Sequence, residues 1–270
     1  MRKLINSTHH FIARFPFFVK FLVAIRNQCN SIIAYYLTNS PDSKKNGENT
    51  IIDYLYSNCS VIIDVGANKG NWTEYFKSKN KTAKYILLEP STNALAFLKQ
   101  RFKNQDNIIL INKAAANKTG ETYFFEEPML GETSSLSADF SNKAAVKKTV
   151  QLISIDALME EYNLNNIDFL KIDAEGFDFI VLEGAVHAVR GSKINFIQFE
   201  YNAPWAIAGS TLLHAINFLK EYEYETFIIR KDGLYEFNYS RFGEFFRYSN
   251  FFSVNKNFYA AVSQLIKGKI

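Results

Sequence analysis

From residue 61 onward, short apolar runs alternate with segments of helical spacing. Val61-Ile62-Ile63-Asp64-Val65 is an apolar run closed by Gly66 and reads as a buried strand; Asn71–Lys79 follows as a helix. Tyr85–Glu89 is the next strand, stopped by Pro90, and Ser91 stands where it would cap a helix running to about Arg101. Asn107–Ile111 and Ile167–Ile172 read as the third and fourth strands, and a helix over Phe177–Val189 follows the latter. Lys193–Glu200 is a fifth strand, Leu212–Glu221 its helix, and Glu225–Arg230 a sixth strand. This alternation predicts an α/β fold with a mainly parallel sheet and helices on both faces.

The rhythm breaks over residues 113–153. Glu121–Glu126 and Lys148–Ile153 read as two more strands around Pro128–Ala145, which is rich in Ser, Ala and polar residues. The expectation is an insertion, a hairpin plus a loop, between the third and fourth main strands. Near the C-terminus, Gly233–Phe237 and Asn250–Val254 are β-like, and a late antiparallel pair is compatible with a doubly wound sheet.

The first 41 residues have a different pattern. They carry Arg2, Lys3, Arg14, Lys20 and Arg26, and the first carboxylate is Asp42. Phe11–Leu37 is rich in Phe, Ile, Val and Tyr, but its cations leave no uncharged run near the roughly 18–20 residues of a spanning helix. Lys20 also interrupts the apolar core of any signal peptide. Two readings stand: a basic helix on an anionic membrane surface, or a helix packed on the main domain with its cations in solvent. Pro41–Gly47 is polar and turn-rich, and Thr50–Ser57 suits a short helix. The expected organisation is a helical extension over 1–45 and one domain over 46–270.

Composition narrows the classes. At 47% hydrophobic and 21% charged, with Gly 12 and Pro 5, the chain is globular rather than disordered or collagen-like. A net charge of +4 does not suggest dedicated nucleic-acid binding. Phe 25 and Tyr 15 are spread along the chain and read mostly as core. Cys29 and Cys59 form neither a disulfide framework nor a metal motif, which suits the cytoplasm.

In open α/β sheets, ligands lie at the carboxyl ends of the strands. Four predicted strand ends carry an acid: Asp64, Glu89, Asp173 and Glu200. The loop Asp64-Val65-Gly66-Ala67-Asn68-Lys69-Gly70 has glycines for a tight turn, and Glu89 is placed to accept hydrogen bonds from ribose hydroxyls. The pair points to a nucleoside-containing cofactor. It lacks the three glycines of a dinucleotide loop, and its acid disfavours a pyrophosphate but favours a cation such as a sulfonium.

Ile63–Gly70 resembles the first motif of class I S-adenosylmethionine-dependent methyltransferases. More narrowly, the chain is similar to the FkbM family through Leu88-Glu89-Pro90, Asn112-Lys113-Ala114-Ala115 with Gly120, Ser134-Ser135-Leu136, and Ile155-Asp156-Ala157-Leu158. Asp168–Gly176 with Val181–Ala185 is the most specific segment, and Phe199-Glu200-Tyr201 completes the match over about residues 58–255. Asp178, where a Glu is common, and Ala115-Ala116-Asn117 depart from the family pattern.

The resemblance implies a Rossmann-like, doubly wound, mainly parallel seven-stranded sheet with an antiparallel last strand. It implies an O-methyltransferase using S-adenosylmethionine on a hydroxyl, of a surface glycan, a glycolipid or a natural product. Gly66, Ala67, Asn68 and Gly70 would border the cofactor, Asp64 would face its cationic end, Glu89 its ribose, and Asn112 and Ala114 its adenine. Asp173 would face both the cofactor and the acceptor, and Asp173, Glu175 and Glu200 are candidate bases, with no pattern that requires a metal; Glu175 reads equally as a structural partner of Lys171. Tyr201, Trp205 and Gly209 either shape an acceptor pocket or belong to the core, while His187 and His214 read as helix-surface residues. The alternatives are a dinucleotide-dependent oxidoreductase and a non-catalytic nucleoside-binding module. Beyond its acceptor, the expected partners include no nucleic acid but do include peripheral membrane contact through residues 1–40.

Overall fold

The computed structural model describes residues 2–37, 40, 42–126 and 145–270. The chain divides into two compact units, Met1–Thr38 and Asn39–Ile270. The first holds helices α1 (Arg2–Ile12) and α2 (Pro16–Leu37). Along α2 the apolar side chains are exposed, Leu37 excepted.

The second unit opens with α3 (Glu48–Leu55), β1 (Val61–Val65), α4 (Asn71–Lys79), β2 (Lys84–Leu88), α5 (Thr92–Arg101) and β3 (Ile108–Ile111). The Ser91 hydroxyl accepts from the Ala94 N–H and starts α5 as its sequence position predicts. The insertion supplies β4 (Ala114–Ala115), β5 (Gly120–Glu126) and β6 (Val146–Ile153), which form a separate three-stranded sheet in the order β4-β6-β5. Pro128–Lys143 and the Ser134-Ser135-Leu136 segment lie outside the described residues. After α6 (Ile155–Glu161) come β7 (Ile167–Ile172), α7 (Asp178–Glu183), α8 (Val186–Arg190), β8 (Ile194–Tyr201), α9 (Leu212–Glu221) and β9 (Tyr224–Arg230). The chain ends through β10 (Gly233–Glu236), β11 (Ser249–Asn255) and β12 (Ile266–Lys269).

The main sheet runs β12-β10-β9-β11-β8-β7-β1-β2-β3. Strands β3, β2, β1, β7 and β8 pair in parallel, and β11 inserts antiparallel between β8 and β9. These seven make the expected Rossmann-like sheet. Its strand count is nine rather than seven, because β10 folds back on β9 as a hairpin and β12 then joins that edge.

The single helix expected over Phe177–Val189 is two helices. A Cβ on Gly184 would lie 2.0 Å from the Ala116 carbonyl oxygen, so only glycine fits there, and α8 starts with the Asp156 carboxylate accepting from the His187 and Ala188 N–H groups at 2.9 Å. Aromatic residues fill the core as their spread predicts: Phe169 contacts Trp72, Phe76, Phe196 and Phe252 at centroid distances of 5.4–6.3 Å. Each such ring contributes roughly 1.5–3 kcal/mol of burial.

Candidate functional site

The parallel register aligns the acids. Asp64 of β1 is paired with Lys171 of β7, and Lys171 with Gln198 of β8, so the three side chains form a row on one face of the sheet. Two residues further along β7 the chain reaches Asp173, and two further along β8 it reaches Glu200. Glu89 directly follows β2. The four carboxylates expected at strand ends therefore line adjacent ends of β2, β1, β7 and β8.

The loop after β1 owes its shape to three left-handed residues: Gly66 at φ 73°, Asn68 at φ 46° and Gly70 at φ 72°. Asn is among the few side chains that tolerate this region. The Gly66 and Ala67 N–H groups donate to Leu88 O at 3.0 and 3.2 Å, which folds the loop over the end of β2. The Asn68 N–H donates to Glu89 Oε2 at 2.8 Å, and the Ser91 N–H to Glu89 Oε1 at 2.8 Å. Each oxygen keeps a further lone pair. Burial pushes the Glu89 carboxyl up to about 7 against these two bonds. Arg101 of α5 braces the back of the loop through the Lys69 carbonyl, Asn71 and Glu74.

Among the described residues, Lys171 is the one buried lysine or arginine. Its ammonium lies 3.1 Å from Asp173 Oδ2 and 3.4 Å from Asp64 Oδ1. Burial works to lower it, but Asp173, Asp64 and Glu48 outweigh that and hold it well above the usual lysine range. Lys171 and Asp173 alternate onto the same face of the strand, and Glu175, the other partner the sequence offered, sits past the strand in a left-handed turn at φ 50°. Asp64 Oδ2 accepts from the Thr73 hydroxyl at 2.6 Å.

Below the row, Glu48 is buried at the start of α3 and accepts from Asn46 at 2.7 Å and Gln198 at 2.5 Å. Glu200 is half-buried and accepts from Asn202 Nδ2 at 2.6 Å. Burial, then Asp173, Glu175 and Asp178, raise the Glu200 carboxyl well above the usual range. Asp178, which departs from the family pattern, accepts from the N–H groups of Ala174, Gly176 and Glu200 at 3.2–3.4 Å and ties the β7 and β8 loops together. Burial and Asp173 push it up to about 8. Burial and the nearby Glu200, Glu48 and Asp173 carboxylates raise the Tyr248 phenol.

Other expected residues fall elsewhere. Asn112 is exposed, and its side-chain amide donates to the carbonyls of Glu89 and Pro90 at 2.8 and 3.0 Å. Ala114 is buried with Ala116 and Leu152 in the small sheet. Tyr201 and Trp205 are fully buried and belong to the core, with the Trp205 indole donating to the Glu200 carbonyl at 2.9 Å. No group of three or more His, Cys, Asp or Glu suited to a metal ion occurs among the described residues. Sequence reasoning missed Glu48, Gln198, Thr73 and Tyr248 because their place depends on packing. Lys171 did leave a signal: a lysine inside an apolar strand needs buried partners.

The described site thus gathers acids at adjacent strand ends, one buried cation, and a glycine loop whose Asn68 N–H holds Glu89. The family of the methyltransferase FkbM domain matches residues 64–226, more than half of the chain. A 2-O-methyltransferase, NoeI, of Sinorhizobium fredii (strain NBRC 101917 / NGR234) is 24% identical over 191 residues, 65% of this chain and 77% of the relative. The methyltransferase sdnD of Sordaria araneosa is 25% identical over 190 residues, 56% of this chain and 72% of the relative. A solved methyltransferase FkbM from Methylobacillus flagellatus KT aligns at a TM-score of 0.47 and 16% identity, over 72% of this chain and 43% of that one. The present chain thus spans less than half of that solved chain.

Proposed function

The chain belongs to the FkbM methyltransferase family, and from that premise we propose that it is an S-adenosylmethionine-dependent O-methyltransferase acting in the cytoplasm on a sugar hydroxyl. The observation that carries the reading is the convergence of Asp64, Glu89, Asp173 and Glu200 at adjacent strand ends, with the buried Lys171 pairing Asp64 and Asp173. Free Cys29 and Cys59 support a reducing compartment.

Gly66, Ala67, Asn68 and Gly70 would border the cofactor, and the remaining lone pairs of Glu89 would take its ribose hydroxyls. Asp64 would offset its positive charge, while Asn112, whose amide holds the Glu89 and Pro90 carbonyls, would stand at the adenine side and the buried Ala114 would not reach it. When bound, S-adenosylmethionine supplies an electrophilic methyl group. The protein's main contribution is then alignment, worth up to roughly 7–11 kcal/mol in favourable cases. Asp173 would take the acceptor's hydroxyl proton at Oδ1, since Oδ2 holds the Lys171 bond. A positioned base of this kind contributes about a hundred- to ten-thousandfold. Glu200, its carboxyl raised by burial and the surrounding acids, would orient the acceptor, with Glu175 at the rim of the same turn. The sugar acceptor, of a surface glycan or glycolipid, rests on analogy with the 2-O-methyltransferase relative.

Calorimetric titration with S-adenosylhomocysteine, S-adenosylmethionine and NAD tests the cofactor, beside Glu89→Ala with its melting temperature as a folding control. Micromolar binding of the adenosyl ligands, weakened in the variant, supports the reading; NAD binding or no binding overturns it. Isotopically labelled methyl transfer to a panel of glycans, located by tandem mass spectrometry, tests the acceptor. A methyl on nitrogen or carbon overturns the O-methyl assignment.

A further inference from the structure

Helix α2 presents a surface that the methyl-transfer site does not use. With about 3.6 residues per turn, Phe18, Leu22, Ile25, Ile32, Ile33 and Tyr36 fall on one side of it. Lys20, Asn27 and Ser31 fall on the opposite side together with Val23; Phe17 and Tyr35 stand at its edge, and Arg26 stands at the border. The apolar side is open: Phe18 is 53% exposed, Leu22 51% and Ile32 70%. Phe15 packs edge-on against both Phe11 and Phe18, extending the aromatic surface toward the N-terminus. The helix is 22 residues long, about 33 Å, yet no helix among the described residues is long and apolar enough to cross a membrane.

We propose that α2 lies in the plane of a bilayer whose surface carries anionic lipid, its apolar side among the acyl chains and Lys20 and Arg26 at the headgroups. Charge selects this occupant. Residues 1–41 hold five Lys or Arg and no acid, so the surface complements a negatively charged interface. A second copy of the helix would bring like charges together with no acid to offset them. The apolar arc is also broader than a coiled-coil seam, because Phe21, at 57% exposure, widens it. Arg26 can run its aliphatic stem along the apolar arc while its guanidinium reaches the phosphates.

The test is flotation of the full chain with vesicles of neutral phosphatidylcholine, or of phosphatidylcholine with a third phosphatidylglycerol. The chain is expected to float with the anionic vesicles and to be released by high salt. Reversing two cations, Lys20→Glu with Arg26→Glu, should weaken that binding by about twentyfold or more, at roughly fivefold per cation. Leu22→Glu with Ile25→Glu should abolish it. Circular dichroism and the melting temperature of each variant serve as folding controls. Equal distribution of wild type and variants, or no flotation, overturns the proposal. So does a dimer in light scattering that dissolves in Leu22→Glu/Ile25→Glu without any flotation of the wild type, since the occupant is then a second copy. The readout needs neither cofactor nor acceptor, so it stands apart from the methyltransferase reading.

Discussion

A Cβ on Gly66 would lie 1.9 Å from the carbonyl oxygen of Asp173. The loop after β1 and the turn after β7 therefore touch backbone to backbone, which brings Asp173 beside the glycine loop. The contact is reinforced by the Asp173 N–H, which donates to Val65 O at 3.1 Å.

Gly66→Ala meets two obstacles there, the clash and a left-handed φ of 73°. The backbone conformation alone costs about 1–2 kcal/mol for a side-chain-bearing residue. The variant is expected to melt several degrees lower and to lose S-adenosylhomocysteine binding, read by thermal denaturation and calorimetry. Unchanged values would mean that the two loops are not held against each other.

Lys171→Met leaves Asp64 buried without its cation. Removing one partner of a buried pair costs about 3–5 kcal/mol. Urea unfolding should show a loss of this order. Adding Asp64→Asn should restore part of it, because the two residues act on one interaction. Strict additivity in the double variant would contradict the pairing.

Stability should fall as pH rises from about 5 to 8. Glu89 is raised from 4.5 to about 7 and Asp178 from 3.8 to about 8, so in that window the folded state holds protons that the unfolded chain has released. The stabilisation of these neutral buried carboxyls is complete below the unfolded values and lost as pH rises through the folded ones. Glu126 acts the other way: lowered to about 2, chiefly by Lys148 and Ser91 against its own burial, it loses stabilisation only as pH falls below about 4.5. Melting temperatures at pH 5, 6.5 and 8 check the slope, and Asp178→Asn should flatten its upper part. A rise across this range would contradict both assignments.

Cofactor affinity should run in the opposite direction. Ribose hydroxyls donate best to an ionised Glu89, so S-adenosylhomocysteine affinity should rise with pH up to about 7 and then level. Below that point it should weaken by up to about tenfold per pH unit. Calorimetry from pH 6 to 8 reads the trend, and Glu89→Gln should remove it. A pH-independent affinity in the native chain would separate Glu89 from the ligand.

Much of this site was legible before any coordinates. Apolar runs marked β1, β2, β7 and β8, and the acids that close them appear as Asp64, Glu89, Asp173 and Glu200. The pairing of Lys171 with Asp173, two residues apart on one face of the strand, was not drawn from the sequence, which offered Glu175 as the partner. Local signals carried the Ser91 cap and the helices Asn71–Lys79 and Leu212–Glu221. What failed was information that is not local. The start of α8 rests on Asp156, which accepts from the His187 and Ala188 N–H groups, and the burial of Trp205 on the aromatic residues around it.

Hydrophobic period and turn residues act over a few neighbours, so the class of fold and the acids at the strand ends are readable along the chain. The partners of those acids come from packing. Glu48 meets Gln198 across 150 residues and Lys171 meets Asp64 across 107, distances at which no periodicity survives. Those contacts follow from strand order and register, which place distant segments side by side and make a buried charge depend on which neighbour the sheet supplies.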